Sequence, residues 1–107
     1  MGSEANASFH TSADAAAVTA AVNSLITDKK YRVVGQSEDG LLIDFLTKKT
    51  MLNWELAVRV ITTPAASGSD VNLFLDVGLG RPAALMDGMK NRKAVEKLSA
   101  ELQAKLS

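Results

Sequence analysis

The sequence predicts an α+β domain in which an antiparallel sheet carries two helices on one face. Apolar residues occupy every second position over residues 54–60 and again over 71–79, with polar residues between most of them. Side chains of a strand alternate between its two faces, so each run is typical of a half-buried antiparallel strand. A C-terminal helix is indicated by the spacing of Val95, Leu98, Leu102 and Leu106. These runs predict a core that contains Leu56, Val58, Leu73, Leu75, Leu98 and Leu102.

The N-terminal part of the chain predicts a short strand followed by a helix. Residues 7–10 alternate in polarity, with Phe9 directed inward. Thr11 and Asp14 have the spacing of a capping box, so Thr11 is the expected N-cap of the helix. The helix then runs to about Thr27, and its expected apolar stripe consists of Ala15, Val18, Val22, Leu25 and Ile26.

Four further strands are expected over residues 31–36, 41–47, 52–62 and 71–79. Residues 37–40 end in Asp-Gly, which predicts a hairpin turn between the first two of them. Residues 63–70 contain Pro64, Gly68 and several small residues, so we expect a loop there. Pro82 is suited to the first turn of a helix, and the C-terminal helix is predicted to begin as early as this residue.

The predicted element order is β-α-β-β-β-β-α. Sequential hairpins place the strands in one curved antiparallel sheet, and both helices need the same apolar face, so we predict a two-layer sandwich. We expect residues 1–107 to form a single domain, of which residues 1–6 are disordered or vector-derived. This order resembles the TBP-like, or helix-grip, family of folds, in which a curved sheet wraps a long C-terminal helix. The resemblance covers the whole chain as topology, and topology alone implies no function.

Composition narrows the possible functions. Twelve basic and twelve acidic residues cancel, so the chain has no net charge to attract a nucleic acid, and we expect no such partner. Cysteine is absent from the sequence, which excludes thiolate metal sites and a cysteine nucleophile. No apolar stretch reaches the roughly 20 residues of a transmembrane helix. The lack of a leader favours a cytoplasmic location, although a leader removed ahead of Met1 would leave the same sequence.

Residue patterns of catalytic and cofactor sites are also missing. His10 is the single histidine, and we expect it on the sheet face that carries Asp44, Glu55 and Asp76. A histidine–carboxylate pair can perform acid–base chemistry, but a solvated histidine near a terminus is the commoner case. The sequence contains neither a complete phosphate-binding glycine loop nor a Gly-x-Ser-x-Gly motif. We therefore expect no catalytic residue, no cofactor and no metal ion, and predict that the protein is not an enzyme.

The sheet face opposite the helices carries apolar residues that no other predicted element covers. An exposed apolar patch on a small protein usually marks an interface. The main hypothesis is therefore a non-catalytic module that binds another protein, or a second copy of itself, through this face. The candidate interface residues are Val34, Leu42, Leu46, Ile61 and Phe74. They share the face with a predicted charged ladder of Asp44, Glu55, Arg59 and Asp76.

The alternative hypothesis is a small apolar-ligand or lipid-binding protein with a pocket between the sheet and the C-terminal helix. Leu85, Met86 and Met89 would then form an adaptable apolar rim, because methionine fits irregular surfaces. A short chain encloses little volume beyond its own core, whereas ligand pockets run to about 300–1,000 Å³. An exposed face and a pocket thus remain two separate hypotheses at the level of sequence.

Overall fold

The computed structural model describes residues 5–47, 56–77 and 87–106, without the side chains of residues 76, 77 and 87–91. The elements are β1 (Ala5–Thr11), α1 (Ala15–Lys29), β2 (Arg32–Gln36), β3 (Leu42–Leu46), β4 (Leu56–Ala65), β5 (Gly68–Val77) and α2 (Asp87–Leu106). The strands form one antiparallel sheet in the order β1-β5-β4-β3-β2. This arrangement confirms the predicted α+β class and element order. Among the described residues, no helix is both long and apolar enough to cross a membrane.

Both helices contribute to one core. α1 packs on β4, β5 and α2, and α2 packs on β1 and β5. The fully buried residues of the described core come from both helices and from the three inner strands; the largest are Phe45, Ile43, Leu73, Leu75 and Leu102. Leu56 is the exception among the residues predicted for the core, since it is half-buried against the cluster.

The helix α1 begins later than its capping pattern predicts. Asp14 is the N-cap, and its carboxylate accepts a hydrogen bond of 2.8 Å from the backbone N–H of Ala17. The prediction of Thr11 was wrong because β1 extends through Thr11, which pairs with Ser69. β1 also starts at Ala5, so it includes two residues of the segment over 1–6 for which the sequence predicts disorder or a vector origin.

At its other end α1 extends to Lys29, two residues beyond the predicted end. Lys30 follows in the left-handed conformation with φ 59°, and its backbone N–H donates to carbonyl groups of the last helical turn. Lysine is sterically unfavourable there, because its Cβ comes close to the following carbonyl oxygen; glycine is the residue that usually occupies a left-handed helix end.

The prediction of a loop over residues 63–70 was wrong. The β4–β5 ladder continues to the pair Ala65 and Gly68, leaving a turn of two residues, Ala66 and Ser67. Gly68 has φ +110°, a conformation that glycine adopts without strain, and β5 therefore begins directly after the two-residue turn. A run of small residues around a proline therefore formed a tight hairpin here.

The strand β2 departs from simple alternation. Val33 pairs with Phe45 and Gly35 pairs with Asp44, so Val34 is an extra residue in a β-bulge. The parts of strands four and five predicted over residues 52–55 and 78–79, and the helix start predicted at Pro82, lie outside the described residues.

Candidate functional site

The core-facing side of the sheet remains partly open at its β2 edge. Val33 lies on this side, because its cross-strand partner Phe45 is a core residue that is 1% exposed. Val33 itself is 43% exposed. The helices pack mainly on β1, β4 and β5, so they leave the edge strand less covered. An apolar side chain of the inner face is thus accessible from outside.

Tyr31 extends this apolar surface. Its ring stacks on Phe45 with a centroid distance of 5.6 Å and an interplanar angle of 11°. Burial raises the pKa of Tyr31, the Glu101 carboxylate raises it further, and Lys29 lowers it, so the phenol remains uncharged at neutral pH. We call Tyr31, Val33 and Phe45 the aromatic shelf.

A polar boundary lies beside the aromatic shelf. Lys29 at the end of α1 and Glu101 on α2 form an ion pair of 2.8 Å, and both charges act on Tyr31. The predicted ligand rim of Leu85, Met86 and Met89 lies outside the described residues, except for the backbone of Met89 within α2. The described part of the site is therefore an apolar surface with charged groups nearby.

A shallow depression lies where β1 ends and α2 ends. It has a volume of about 280 Å³, is largely open to solvent, and is lined by Phe9, His10, Thr11, Ser12, Gln103 and Leu106. Phe9 and Leu106 supply apolar walls, whereas the hydroxyl groups and the Gln103 amide are polar. This depression combines both kinds of surface without a buried charge.

His10 lies on the rim of this depression, and Asp70 is its partner. Its Nδ1 lies 2.8 Å from Asp70 Oδ1 and its Nε2 lies 3.1 Å from the carbonyl oxygen of Ser67. Both partners accept hydrogen bonds, so the imidazolium, which donates from both nitrogens, satisfies both. The hydrogen bond to Asp70 raises the pKa of His10, and the Asp70 charge and the Ser67 carbonyl act in the same direction against partial desolvation.

Sequence reasoning missed Asp70 because it placed this residue in a loop. His10 and Asp70 are directly opposite each other only because β1 pairs with β5. No local pattern reports that long-range pairing. The pair ties β1 to the β4–β5 turn, since Ser67 belongs to that turn.

The outer face, opposite the helices, has its apolar residues separated by charge. Arg59 donates two hydrogen bonds to Asp44, from Nε at 2.8 Å and from Nη2 at 3.0 Å. This pair confirms the part of the charged ladder that lies on described side chains. On one side of it Leu42 pairs with Ile61, and on the other Leu46 pairs with Ala57.

The other predicted interface residues occupy different positions. Phe74 is 43% exposed on β5 and lies opposite Arg59 in the β4–β5 register. Val34 is 57% exposed, but as the bulged residue it has no cross-strand partner and belongs to none of these cross-strand pairs. Glu55 and the side chain of Asp76 lie outside the described part of the chain.

Comparison with known proteins identifies the architecture. No protein-family model matches the chain, and no curated protein matches its sequence. Among solved structures, the crystal structure of Ara h 8.0201 is similar with a TM-score of 0.56 and 10% sequence identity, covering 96% of this chain and 93% of the other. This similarity supports a helix-grip type of α+β fold. The relation to TBP-like folds stays a prediction.

Proposed function

We propose that the protein binds a small apolar ligand at the aromatic shelf, between the sheet and the helix layer. The observation that carries this proposal is the 43% exposure of Val33 on the inner face of the sheet. Most described apolar side chains on that face are buried, so an accessible one beside an aromatic stack marks a place that the described parts of the helices leave uncovered. The helix-grip fold supports the proposal, since it places a sheet against a long helix.

The same observations limit the size of the ligand. The inner strands and the helices already fill the described core with side chains that are almost fully buried. Space for a ligand is therefore expected at the β2 edge rather than along the whole sheet. A flat, partly aromatic molecule suits this surface, because it can extend the parallel stacking of Tyr31 on Phe45.

One substitution on each face can distinguish the shelf from the outer face. Val33 and Phe74 are equally exposed, at 43% each, and lie on opposite faces of the same sheet. Aspartate in place of either residue introduces one charge at a site of equal accessibility. The two variants therefore form a matched pair that reports which face binds an apolar molecule.

The test is a fluorescence titration with 1-anilinonaphthalene-8-sulfonate, an aromatic probe whose fluorescence rises in apolar surroundings, on the native chain. We expect saturable binding by the wild type, at least about tenfold weaker binding by Val33→Asp, and unchanged binding by Phe74→Asp, because a charge in an apolar contact is strongly penalised. No binding by the wild type, or an equal loss in both variants, would contradict the proposal. Circular dichroism of each variant controls for loss of fold.

A further inference from the structure

We propose that the outer face forms a weak two-fold dimer, in which the Asp44–Arg59 ion pair of one copy meets the same pair of the other in reversed order. The proposal concerns the face opposite the aromatic shelf and is independent of ligand binding. Its starting point is that one anion and one cation lie side by side on adjacent strands, β3 and β4. Such a pair is complementary to its own image after a half-turn.

The sheet register defines where that half-turn acts. A two-fold axis between the sheets, parallel to the strands and midway between β3 and β4, places β3 of one copy over β4 of the other. Asp44 then faces Arg59 of the second copy, and Arg59 faces its Asp44. Four alternating charges result, so each charge gains a second partner of opposite sign.

The apolar residues follow the same symmetry. Leu42 and Ile61 are cross-strand partners, so the axis places Leu42 over Ile61 of the second copy. Leu46 and Ala57 are related in the same way on the other side of the Asp44–Arg59 pair. Apolar contacts thus flank the charged centre on both sides, which is the arrangement expected of a self-complementary surface.

Phe74 also finds a complementary position. It pairs with Arg59 on the neighbouring strand β5, and the two-fold axis places β5 over β2 of the second copy. The β2 residue at the same level is Gly35, which pairs with Asp44. Gly35 has no side chain, and a Cβ built on it meets nothing closer than Asp44 Oδ2 at 3.9 Å. Phe74 therefore meets a position with no side chain of its own.

The size of the contact predicts its strength. Four strands about 4.8 Å apart and five residues of about 3.4 Å each give a footprint of roughly 300 Å² per copy. Stable complexes bury about 800 Å² per partner, so the dimer should dissociate on dilution. We expect the average mass to rise with concentration between about 10 μM and 1 mM.

Charge reversal tests the geometry. Asp44→Arg leaves two cations on the face and Arg59→Asp leaves two anions, so each variant alone should dimerise at least about tenfold more weakly than the wild type. An equimolar mixture of the two variants should recover dimerisation, because each cation then faces an anion of the other chain. Glu38→Arg, in the exposed β2–β3 turn, changes the net charge as Asp44→Arg does and should leave dimerisation unchanged.

Sedimentation velocity of each sample, with native mass spectrometry of the mixture, gives the result. A wild type that stays monomeric up to about 1 mM, or a dimer that tolerates both single reversals, would overturn the proposal. A mixture that remains monomeric would overturn the two-fold geometry. If a reversal unfolds the chain, Phe74→Asp replaces it: weaker dimerisation supports the proposal and unchanged dimerisation overturns it.

Discussion

Among the described glycines, Gly68 is the one at which the fold tolerates an added side chain least. It closes the β4–β5 turn with φ +110°, a conformation that costs other residues about 1–3 kcal/mol. A Cβ at this position would also lie 1.9 Å from the backbone oxygen of Thr11. Carbon and oxygen atoms in contact stand about 3.3 Å apart or more, so the end of β1 would have to move by about 1.4 Å.

That movement has a second consequence. Ser69, which is fully buried, donates a hydrogen bond of 2.9 Å to the carbonyl oxygen of Ala13, just beyond β1. Displacing this segment leaves a buried hydroxyl unsatisfied, at a cost of about 1–3 kcal/mol. Together with the backbone strain, Gly68→Ala should lower the free energy of unfolding by roughly 2–6 kcal/mol.

Urea denaturation followed by far-ultraviolet circular dichroism measures this change. Gly35→Ala is the control, because Gly35 lies in β2 without a positive φ and a Cβ there has only ordinary contacts, the nearest at 3.9 Å. We expect the control to change stability by less than about 1 kcal/mol, in the stabilising direction. A loss below about 1 kcal/mol in Gly68→Ala would refute the reasoning, since strain alone should exceed it.

Three further predictions concern stability. Lys30→Gly should raise the melting temperature and stabilise the fold by about 0.5–1 kcal/mol, because it relieves a left-handed lysine; calorimetry showing destabilisation would contradict this. Leu73→Ala should cost about 2–5 kcal/mol in urea, because the side chain is 1% exposed, and a loss near zero would place it outside the core. His10→Gln should be less stable than the wild type at pH 5; because the pKa of His10 is raised in the fold, this difference should shrink as the pH rises through that pKa, and a difference growing with pH would be inconsistent with the Asp70 pair.

Strand alternation was the part of the sequence that predicted structure best. β4 and β5 carry apolar residues at every second position, and those of the inner face, such as Val58 and Leu75, are buried together beneath the helices. Burial of one face controls such a pattern directly, so it can be read without knowledge of the neighbouring strands. The helical spacing of Leu98 and Leu102 is informative for the same reason.

Features that depend on pairing between distant segments could not be read in this way. Thr11 has the composition of a helix cap, yet pairing with β5 keeps it in a strand. The bulge at Val34 depends on how β2 aligns with β3, and the pair of His10 and Asp70 depends on the β1–β5 register. Each of these involves a local preference that tertiary contacts override.

The accessible inner face was missed for a related reason. Val33 alternates like any strand residue, and its exposure follows from where the helices pack rather than from its own sequence neighbours. The outer face was recognised as apolar from the sequence, but the ion pair that divides it requires Asp44 and Arg59 to be cross-strand partners.

The most direct test of the proposed function is to locate an apolar ligand by nuclear magnetic resonance. Methyl-labelled protein with 1-anilinonaphthalene-8-sulfonate should show nuclear Overhauser contacts from the probe to the methyl groups of Val33, and shift changes for the Tyr31 ring. Ile61, half-buried on the outer face, should show neither. Contacts to Ile61 and none to Val33 would contradict the account, because they would place the ligand on the opposite side of the sheet.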